Sequence, residues 1–249
     1  ELACHGRAVL GSWWREHYVS PDAVYLWSNA HVYRFDFASL DVVAHKAQGA
    51  PLDQFSFRQS GGELFVATNR YESGGTQEAG VLSLPVAAFD KKGAQPTLSW
   101  RSFGPGSWMT KNRFVGDTLV AALGYGTGDV ISVDARTGAT SRLAAGHAVT
   151  RLEPIGEGRV LVVTNDGPSS MSLDAYATSD MTRSLGHLAL AGVQEGEGRS
   201  HGFFYKPGEA GAGMFGYAVV APPDRGAPYG YGNGISNIGF FDVAATGAL

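Results

Sequence analysis

A hydrophobic strand recurs five times along the chain, and four of these strands directly follow a polar turn such as Gly116-Asp117. The strands begin near residues 24, 64, 119, 160 and 214, so the successive steps are 40, 55, 41 and 54 residues. A repeat of 40 to 55 residues containing about four strands has the period of a propeller blade. The sequence therefore predicts an all-β fold, a β-propeller of four-stranded antiparallel blades with five visible blades and partial flanking ones. A jelly roll or sandwich is the alternative, but it does not predict a recurring unit.

Short runs of β-forming residues alternate with clusters of Gly, Pro, Asp, Asn and Ser, and no 12-residue window shows a clean helical apolar face. Val160–Thr164 is almost continuously apolar, which is typical of a strand buried on both faces. Thr140–Leu143 and Thr182–Leu185 are more polar, as expected of outer blade strands. The predicted strands are 24–27, 32–37, 64–68, 81–86, 98–103, 119–123, 130–133, 160–164, 171–176, 185–190, 215–220 and 238–243.

We expect a single propeller domain over residues 1–249, with blades near 13–48, 49–104, 105–146, 147–193 and 194–249. Residues 1–12 are interpreted as the outer strand of an earlier blade. Five blades and a fraction are fewer than closed propellers usually have, which suggests a fragment or an unusual closure. We expect residues 8–14 and 238–243 to be paired in sheets, and the strand after Leu249 to be supplied by other polypeptide.

Composition excludes several classes of protein. The 249 residues carry a formal net charge of -4, and only five of the 19 basic residues are Lys, so the chain offers no basic field for nucleic acid. No apolar run approaches 18 residues, so no transmembrane segment is expected. The single cysteine, Cys4, excludes an internal disulfide framework and a zinc cluster.

Several segments are similar to those of a known family. They are residues 18–21, 24–26, 32–35, 49–57, 64–68, 113–117, 153–156 and 200–205. On these segments the chain resembles the secreted C-terminal β-propeller proteins of bacteria and archaea, which are distantly related to WD40 repeats. Two positions depart from the family's pattern: Ser200 and Gly202 stand where the family has Asp and Lys. The resemblance covers roughly residues 13–245 and implies a propeller fold and a secreted or cell-envelope location, but no chemistry.

Catalytic and metal motifs are weak. None of the seven His lies in a metal-binding spacing, and His201 is interpreted as a strand residue bonded to a neighbouring blade. Glycoside cleavage needs a pair of carboxylates, and the candidates for such a pair lie only in polar loops, where a solvated acid is expected. We predict no cofactor. Structural calcium is the alternative, at the strand-end residues Asp129, Asp134, Asn165, Asp166 and Asp180, whereas the recurring acids are interpreted as turn residues. The loop carboxylates are Glu195, Glu197, Glu209 and Asp224, and the recurring acids are Asp36, Asp134, Asp174 and Asp242.

The most unusual stretch is Pro222–Asn237, which is too long for a hairpin turn. Its candidate partner-binding residues are Tyr229, Tyr231, Asn233 and Asn237, because Tyr set among Gly and Asn is typical of adaptable binding loops. The alternative is a flexible insertion with no binding role. Two further loops, Asn69–Ala79 and Gly124–Gly128, occupy the same position in the repeat.

The favoured function is a non-enzymatic binding or scaffolding module of an exported, envelope-associated protein, with a protein or glycan partner. The alternatives are a carbohydrate-active or other hydrolase with its site in the central channel, and a structural subunit of a larger assembly. A buried carboxylate pair facing the channel would favour the enzyme. A face of exposed aromatic residues without such a pair would favour the binding module.

Overall fold

The computed structural model describes residues 6, 8–72, 74–90, 93, 95–126, 128–167, 170–221 and 235–249, with the side chains of Ile235 and Ser236 left aside. These residues form twenty β-strands and four short 3-10 helices, and no α-helix occurs among them. The chain divides into two compact units, Glu1–Met109 and Thr110–Leu249. No helix in the described ranges is long and apolar enough to cross a membrane.

The first unit contains two four-stranded antiparallel sheets, each a meander in chain order. Two 3-10 helices, Gln54–Ser56 and Val86–Asp90, flank strands of the second sheet. The first sheet comprises β1 (Glu16–Val19), β2 (Ala23–Ser28), β3 (His31–Asp36) and β4 (Val42–Lys46). The second comprises β5 (Phe57–Ser60), β6 (Glu63–Tyr71), β7 (Gln77–Pro85) and β8 (Ser99–Pro105).

The second unit contains the next two meanders, apart from Met109, which begins the third sheet at the unit boundary. The third sheet comprises β9 (Met109–Val115), β10 (Thr118–Leu123), β11 (Asp129–Asp134) and β12 (Thr140–Ala144). The fourth comprises β13 (Ala148–Pro154), β14 (Arg159–Gly167), β15 (Ser170–Ala177) and β16 (Asp180–Ala191).

The fifth sheet, also in the second unit, departs from the meander. Its strands are β17 (Gln194–Glu195), β18 (Phe203–Pro207), β19 (Gly213–Ala221) and β20 (Ile235–Val243), with 3-10 helices at Ser200–Gly202 and Glu209–Gly211. Both β17 and β18 pair with β19, which pairs with β20 along its other edge. Two strands, β17 and β18, therefore occupy the place that a single first strand has in each of the other four sheets.

Sheets pack face to face within each unit, as the blades of a propeller do. In the first unit, Trp27 and Tyr25 of the first sheet share one core with Leu64 and Leu84 of the second. In the second unit, one core joins the third and fourth sheets and another joins the fourth and fifth. The predicted all-β architecture of four-stranded antiparallel blades is confirmed.

The strand β14 is buried on both of its faces. Leu161 and Val163 pack into the core with the fifth sheet, whereas Val160 and Val162 pack into the core with the third. All four side chains are at most 1% exposed. Successive side chains of a strand point to opposite faces, so an unbroken apolar run is what a strand between two sheets requires.

Each of the twelve predicted strands lies on a strand of the structure, with bounds that differ by a few residues. The predicted turn at Gly116-Asp117 is confirmed: it joins β9 to β10, and Gly116 adopts a φ of 61°. Only glycine adopts a positive φ of this kind at little cost, which explains the residue. Each sheet lies inside one predicted blade range, except that β8 ends at Pro105. The single-domain assignment stays a prediction.

The expectations for the two ends are met only in part. Residues 238–243 are paired in β20, as predicted. Residues 8–14 belong to no strand, and the prediction of an outer strand there is wrong for the described part of 1–12. Leu10 is 99% exposed and Trp13 is 89% exposed, so their apolar side chains do not enter a sheet. The pairing with β2 begins only at Glu16, opposite Trp27.

The last six residues turn back onto the fourth sheet instead of starting a strand. The amide of Gly247 donates to the carbonyl of Ala244 at 2.8 Å. Arg159 donates to the carbonyls of Ala244 and Ala245 at 3.2 and 3.1 Å, and Leu249 packs against the core between the fourth and fifth sheets.

We predict that Leu161→Asp and Val162→Asp each lower the free energy of unfolding by about 3 kcal/mol or more, because each buries an unpaired charge in a different core. Urea unfolding of the purified protein measures the change. The control is Thr140→Asp, at an exposed position of β12. A loss below about 1 kcal/mol at either buried site would contradict two-sided burial.

Candidate functional site

The predicted binding loop lies mostly outside the described residues. Tyr229, Tyr231 and Asn233 belong to that part of the chain, and Asp224 does too. Asn237 is described, and it lies within β20, opposite Val219. The predicted loop 222–237 is therefore too long at its end, because residues from Ile235 onward pair with β19.

The other two predicted loops join the second and third strands of their sheets, as the repeat requires. Most of Asn69–Ala79 is strand, however, since β6 continues to Tyr71 and β7 begins at Gln77. The prediction of a long loop there is wrong, because Asn69 is paired with Ala79 in the ladder. Gly124–Gly128 does lie between strands, and Tyr125 within it is 82% exposed.

The candidate interaction site is a row of aromatic side chains across the fifth sheet. Phe204 of β18 lies opposite Gly216 of β19, which lies opposite Phe240 of β20. The two phenyl rings meet edge to face with their centroids 5.9 Å apart. Ile238, two residues before Phe240, lies on the same face of β20. We call Phe204, Ile238 and Phe240 the aromatic row.

Gly216 makes this arrangement possible. A Cβ atom at residue 216 would lie 2.0 Å from a ring carbon of Phe204, so the ring occupies the space that any other residue would need. The row remains open to solvent: the exposed fractions are 47% for Phe204, 63% for Ile238 and 61% for Phe240. Asn237 lies on the opposite face of β20, so it does not join the row.

A chain of charged side chains links the first strands of the three sheets in the second unit. Arg151 of β13 donates to Glu153 at 2.7 Å and to Glu195 of β17 at 2.8 Å. Its remaining donors reach the carbonyls of Glu197 and Arg199 at 2.5 and 3.0 Å. The guanidinium carbon also lies 5.5 Å from the ring centroid of Tyr217.

The chain continues to the third sheet through Arg113 of β9, which donates to the two oxygens of Glu153 at 3.2 and 3.3 Å. Arg151 is only 3% exposed. Burial alone would lower the pKa of Arg151, but the carboxylates of Glu195 and Glu153 outweigh it and hold that pKa above its ordinary value. Burial also raises the pKa of the Tyr217 phenol. These contacts tie the three sheets together.

Two of the loop carboxylates proposed for glycoside cleavage, Glu195 and Glu197, are held by arginine, whereas Glu209 is an exposed residue of the 3-10 helix Glu209–Gly211. Glu195 bonds Arg151, and Glu197 bonds the side chain and the amide of Arg199. The Arg199 contacts lower the pKa of the Glu197 carboxyl to about 2. A carboxyl with so low a pKa is a poor general acid at neutral pH.

His201 lies in an exposed 3-10 helix just before β18, not in a strand as predicted.

The recurring acids divide into two groups. Asp36 and Asp134 are turn residues, as predicted. The Asp36 carboxylate accepts two backbone amides, from Ala38 and Ser39, at 3.0 and 2.8 Å. Asp134 accepts the amides of Arg136 and Thr137 at 2.9 and 2.7 Å.

The turn prediction is wrong for Asp174 and Asp242, which lie inside β15 and β20. Within the described ranges, no three His, Cys, Asp or Glu side chains come together in a metal-binding arrangement.

A polar groove of about 400 Å³ lies on the fourth sheet next to β12. The Nδ1 atom of His187 lies 2.9 Å from a carboxylate oxygen of Asp174. Asp166 accepts the hydroxyls of Ser172 and Thr164. Here the serine donates to a carboxylate instead of an imidazole, so it lacks the base that a serine nucleophile needs.

Sequence reasoning missed the aromatic row and the Arg151 chain. The row has a signal in the sequence, since Ile238, Phe240 and Phe241 place apolar side chains on both faces of one strand. The Arg151 chain has none, because Arg151 and Glu195 are 44 positions apart and become neighbours only through sheet packing.

No family model matches the chain, and no curated protein matches it. Distant solved structures include Hsv2p of Kluyveromyces lactis, with a TM-score of 0.45 and 10% identity over 91% of this chain and 71% of that one. The dihydro-heme d1 dehydrogenase NirN has a TM-score of 0.45 and 12% identity over 82% of this chain and 44% of that one. A GH43 glycoside hydrolase has a TM-score of 0.37 and 13% identity over 94% and 50%. Nothing about function follows from them, and the resemblance to the secreted propeller family stays a prediction.

We predict that Arg151→Met lowers the free energy of unfolding by about 3 kcal/mol, because it leaves the Glu195 carboxylate without its cation and leaves the buried Glu153 carboxylate with Arg113 alone. The control is Arg183→Met, at an exposed position of β16. Urea unfolding at pH 7 compares the two variants with the unmodified protein. Equal, small losses would show that Arg151 does not hold the sheets together.

The groove residue Tyr176 gives a pH-dependent prediction. Burial, with a further contribution from Asp174, raises the pKa of its phenol to about 12. Its stabilising contribution is therefore complete below the unfolded pKa near 10 and is lost as the pH rises toward 12. We expect the unfolding free energy to fall more steeply above pH 10 in the unmodified protein than in Tyr176→Phe. Parallel profiles for the two proteins would contradict burial of the phenol.

Proposed function

We propose that this chain is a non-enzymatic binding module, of propeller-blade architecture, that uses the aromatic row to bind another polypeptide. The observation that carries the proposal is the exposure of Phe204, Ile238 and Phe240 on one sheet face. Contiguous exposed apolar side chains are typical of interaction sites, and aromatic side chains supply much of the binding energy in such interfaces.

The kind of partner follows from what surrounds the row. Ile238 lies opposite Ala218, and the two phenyl rings flank Gly216, so the middle strand offers no polar side chain at these positions. A sugar would need hydrogen-bond partners for its hydroxyls beside the rings, and the polar side chains of this face, Lys206 and Asp242, lie one cross-strand pair away, on either side of Met214. An apolar surface of a protein needs none. The row therefore favours a protein over a glycan.

The second unit shows how such a face is covered. Both faces of β14 are buried against apolar faces of neighbouring sheets. A partner that covers the aromatic row in the same way must offer an apolar face of a strand or sheet. A scaffolding role would follow from this contact. The proposed location in the cell envelope rests only on the sequence resemblance.

The hydrolase alternative has less support. Two of its carboxylates are each bonded to an arginine: Glu195 of β17 to Arg151, and Glu197, which follows β17, to Arg199. These bonds give both carboxylates a structural role. No such structural role explains why the side chains of the aromatic row are exposed to solvent. We therefore favour the binding module.

The test begins with a photo-crosslinking phenylalanine at position 240 of the protein expressed in its native host. The control places it at Tyr125, an 82% exposed position on a turn of the same unit. We expect one polypeptide adduct from position 240, none from position 125, and loss of the adduct when Phe204→Ser is added.

Affinity then decides whether the adduct marks a specific contact. With the identified polypeptide purified, we expect Phe240→Ser to weaken binding by roughly tenfold or more, which is the cost of removing an aromatic hot spot. Binding that is unchanged by both Phe204→Ser and Phe240→Ser would refute the proposal.

A further inference from the structure

The first unit contains a cavity of about 570 Å³ beside its two sheets. Its residues come from the turn before β3 and the start of that strand, from the end of β4 and the two residues after it, from β6 and β7, and from the segment that enters β8. A volume of this size lies within the range of pockets that bind small organic molecules. It lies in a different unit from the aromatic row, so the two sites are independent.

The walls of the cavity are mainly apolar. Leu82 and Ala47 are each 3% exposed, and Leu98 and Trp100 pack against the core of the first unit. These four side chains would replace water around an apolar ligand of matching shape. The cavity therefore has room and surface for the body of such a ligand.

Trp100 is held in place by a charged partner. The guanidinium carbon of Arg70 lies 3.9 Å from the indole ring centroid, within the range of a cation–π contact. Arg70 also pairs with Glu78 at 2.8 Å and with Glu72 at 2.5 Å. Its charge is therefore balanced by two carboxylates, and its main effect on the cavity is to fix the indole wall.

The charge that remains for a ligand belongs to Lys46. This exposed residue lines the cavity, and it forms no ion pair with another residue in the described ranges. Its backbone is fixed by Gln95, whose side-chain amide donates to the Lys46 carbonyl at 3.0 Å and accepts its N–H at 3.2 Å. No Asp or Glu lines the cavity among the residues described.

We propose that this cavity binds an amphipathic organic anion. Its apolar body would lie against Leu82, Leu98 and Trp100, and its carboxylate or sulfonate would face the ammonium group of Lys46. A cationic ligand would be repelled by Lys46, and a fully neutral ligand would leave Lys46 unused. The inference goes beyond the proposed protein-binding function and does not depend on it.

Two fluorescent dyes of nearly the same shape test the charge requirement. The anion 8-anilinonaphthalene-1-sulfonate and the neutral N-phenyl-1-naphthylamine differ by the sulfonate group. Both titrations use the Phe240→Ser protein, because the exposed rings of the aromatic row could also bind such dyes. We expect saturable binding of both dyes and tighter binding of the anion. The absence of saturable binding of either dye would overturn the site.

Two variants then locate the anionic group. Lys46→Met removes the ammonium, and Gln48→Glu places a carboxylate at an exposed position of the cavity. Each should weaken the anionic dye roughly fivefold, the effect of about one exposed ion pair, while the neutral dye binds as before. Neither change disturbs a buried residue.

The matched control is Lys206→Met, which removes an exposed lysine of β18 in the other unit. It should leave both affinities unchanged. Equal loss for both dyes in Lys46→Met, or no loss for the anion in either cavity variant, would overturn the assignment of Lys46 to an anionic group.

Discussion

The burial of β14 on both faces is the constraint on which the second unit depends. Leu161 and Val163 complete one core, and Val160 and Val162 complete the other. A single strand therefore supplies side chains to both of the cores that join the three sheets. Alternation along the strand leaves no face for solvent. The fourth sheet therefore cannot separate from either neighbour without exposing apolar surface to water.

The Arg151 chain adds specificity to this apolar packing. A buried ion pair contributes little net stability, because the cost of removing charges from water offsets much of their attraction. Its geometry is demanding, however: Arg151 bonds two carboxylates and two carbonyls from separate segments. We propose that it selects one alignment of the first strands among those that the apolar cores alone would permit.

Much of the fold could be predicted from the sequence, because strand alternation and turn residues are local signals. Val160–Thr164 and Gly116-Asp117 are examples. Asp134 is followed four residues later by the turn residue Gly138, whereas Asp174 is followed by Ala175 and the strand-forming Tyr176. The regular spacing of the acids in the repeat hid this difference. The candidate sites were harder to find. Phe204 and Phe240 become neighbours only through pairing with Gly216, and the cavity depends on contacts between two sheets.

The meander order of the first four sheets has a consequence for how the chain folds. Every strand in them pairs with one that is adjacent in the sequence, so no strand has to wait for a distant part of the chain. Such local pairing corresponds to low contact order within a sheet, which favours rapid formation. We therefore expect the docking of sheets to be slower than their formation. In a sheet that has formed but not docked, β14 would expose both apolar faces, which would favour aggregation.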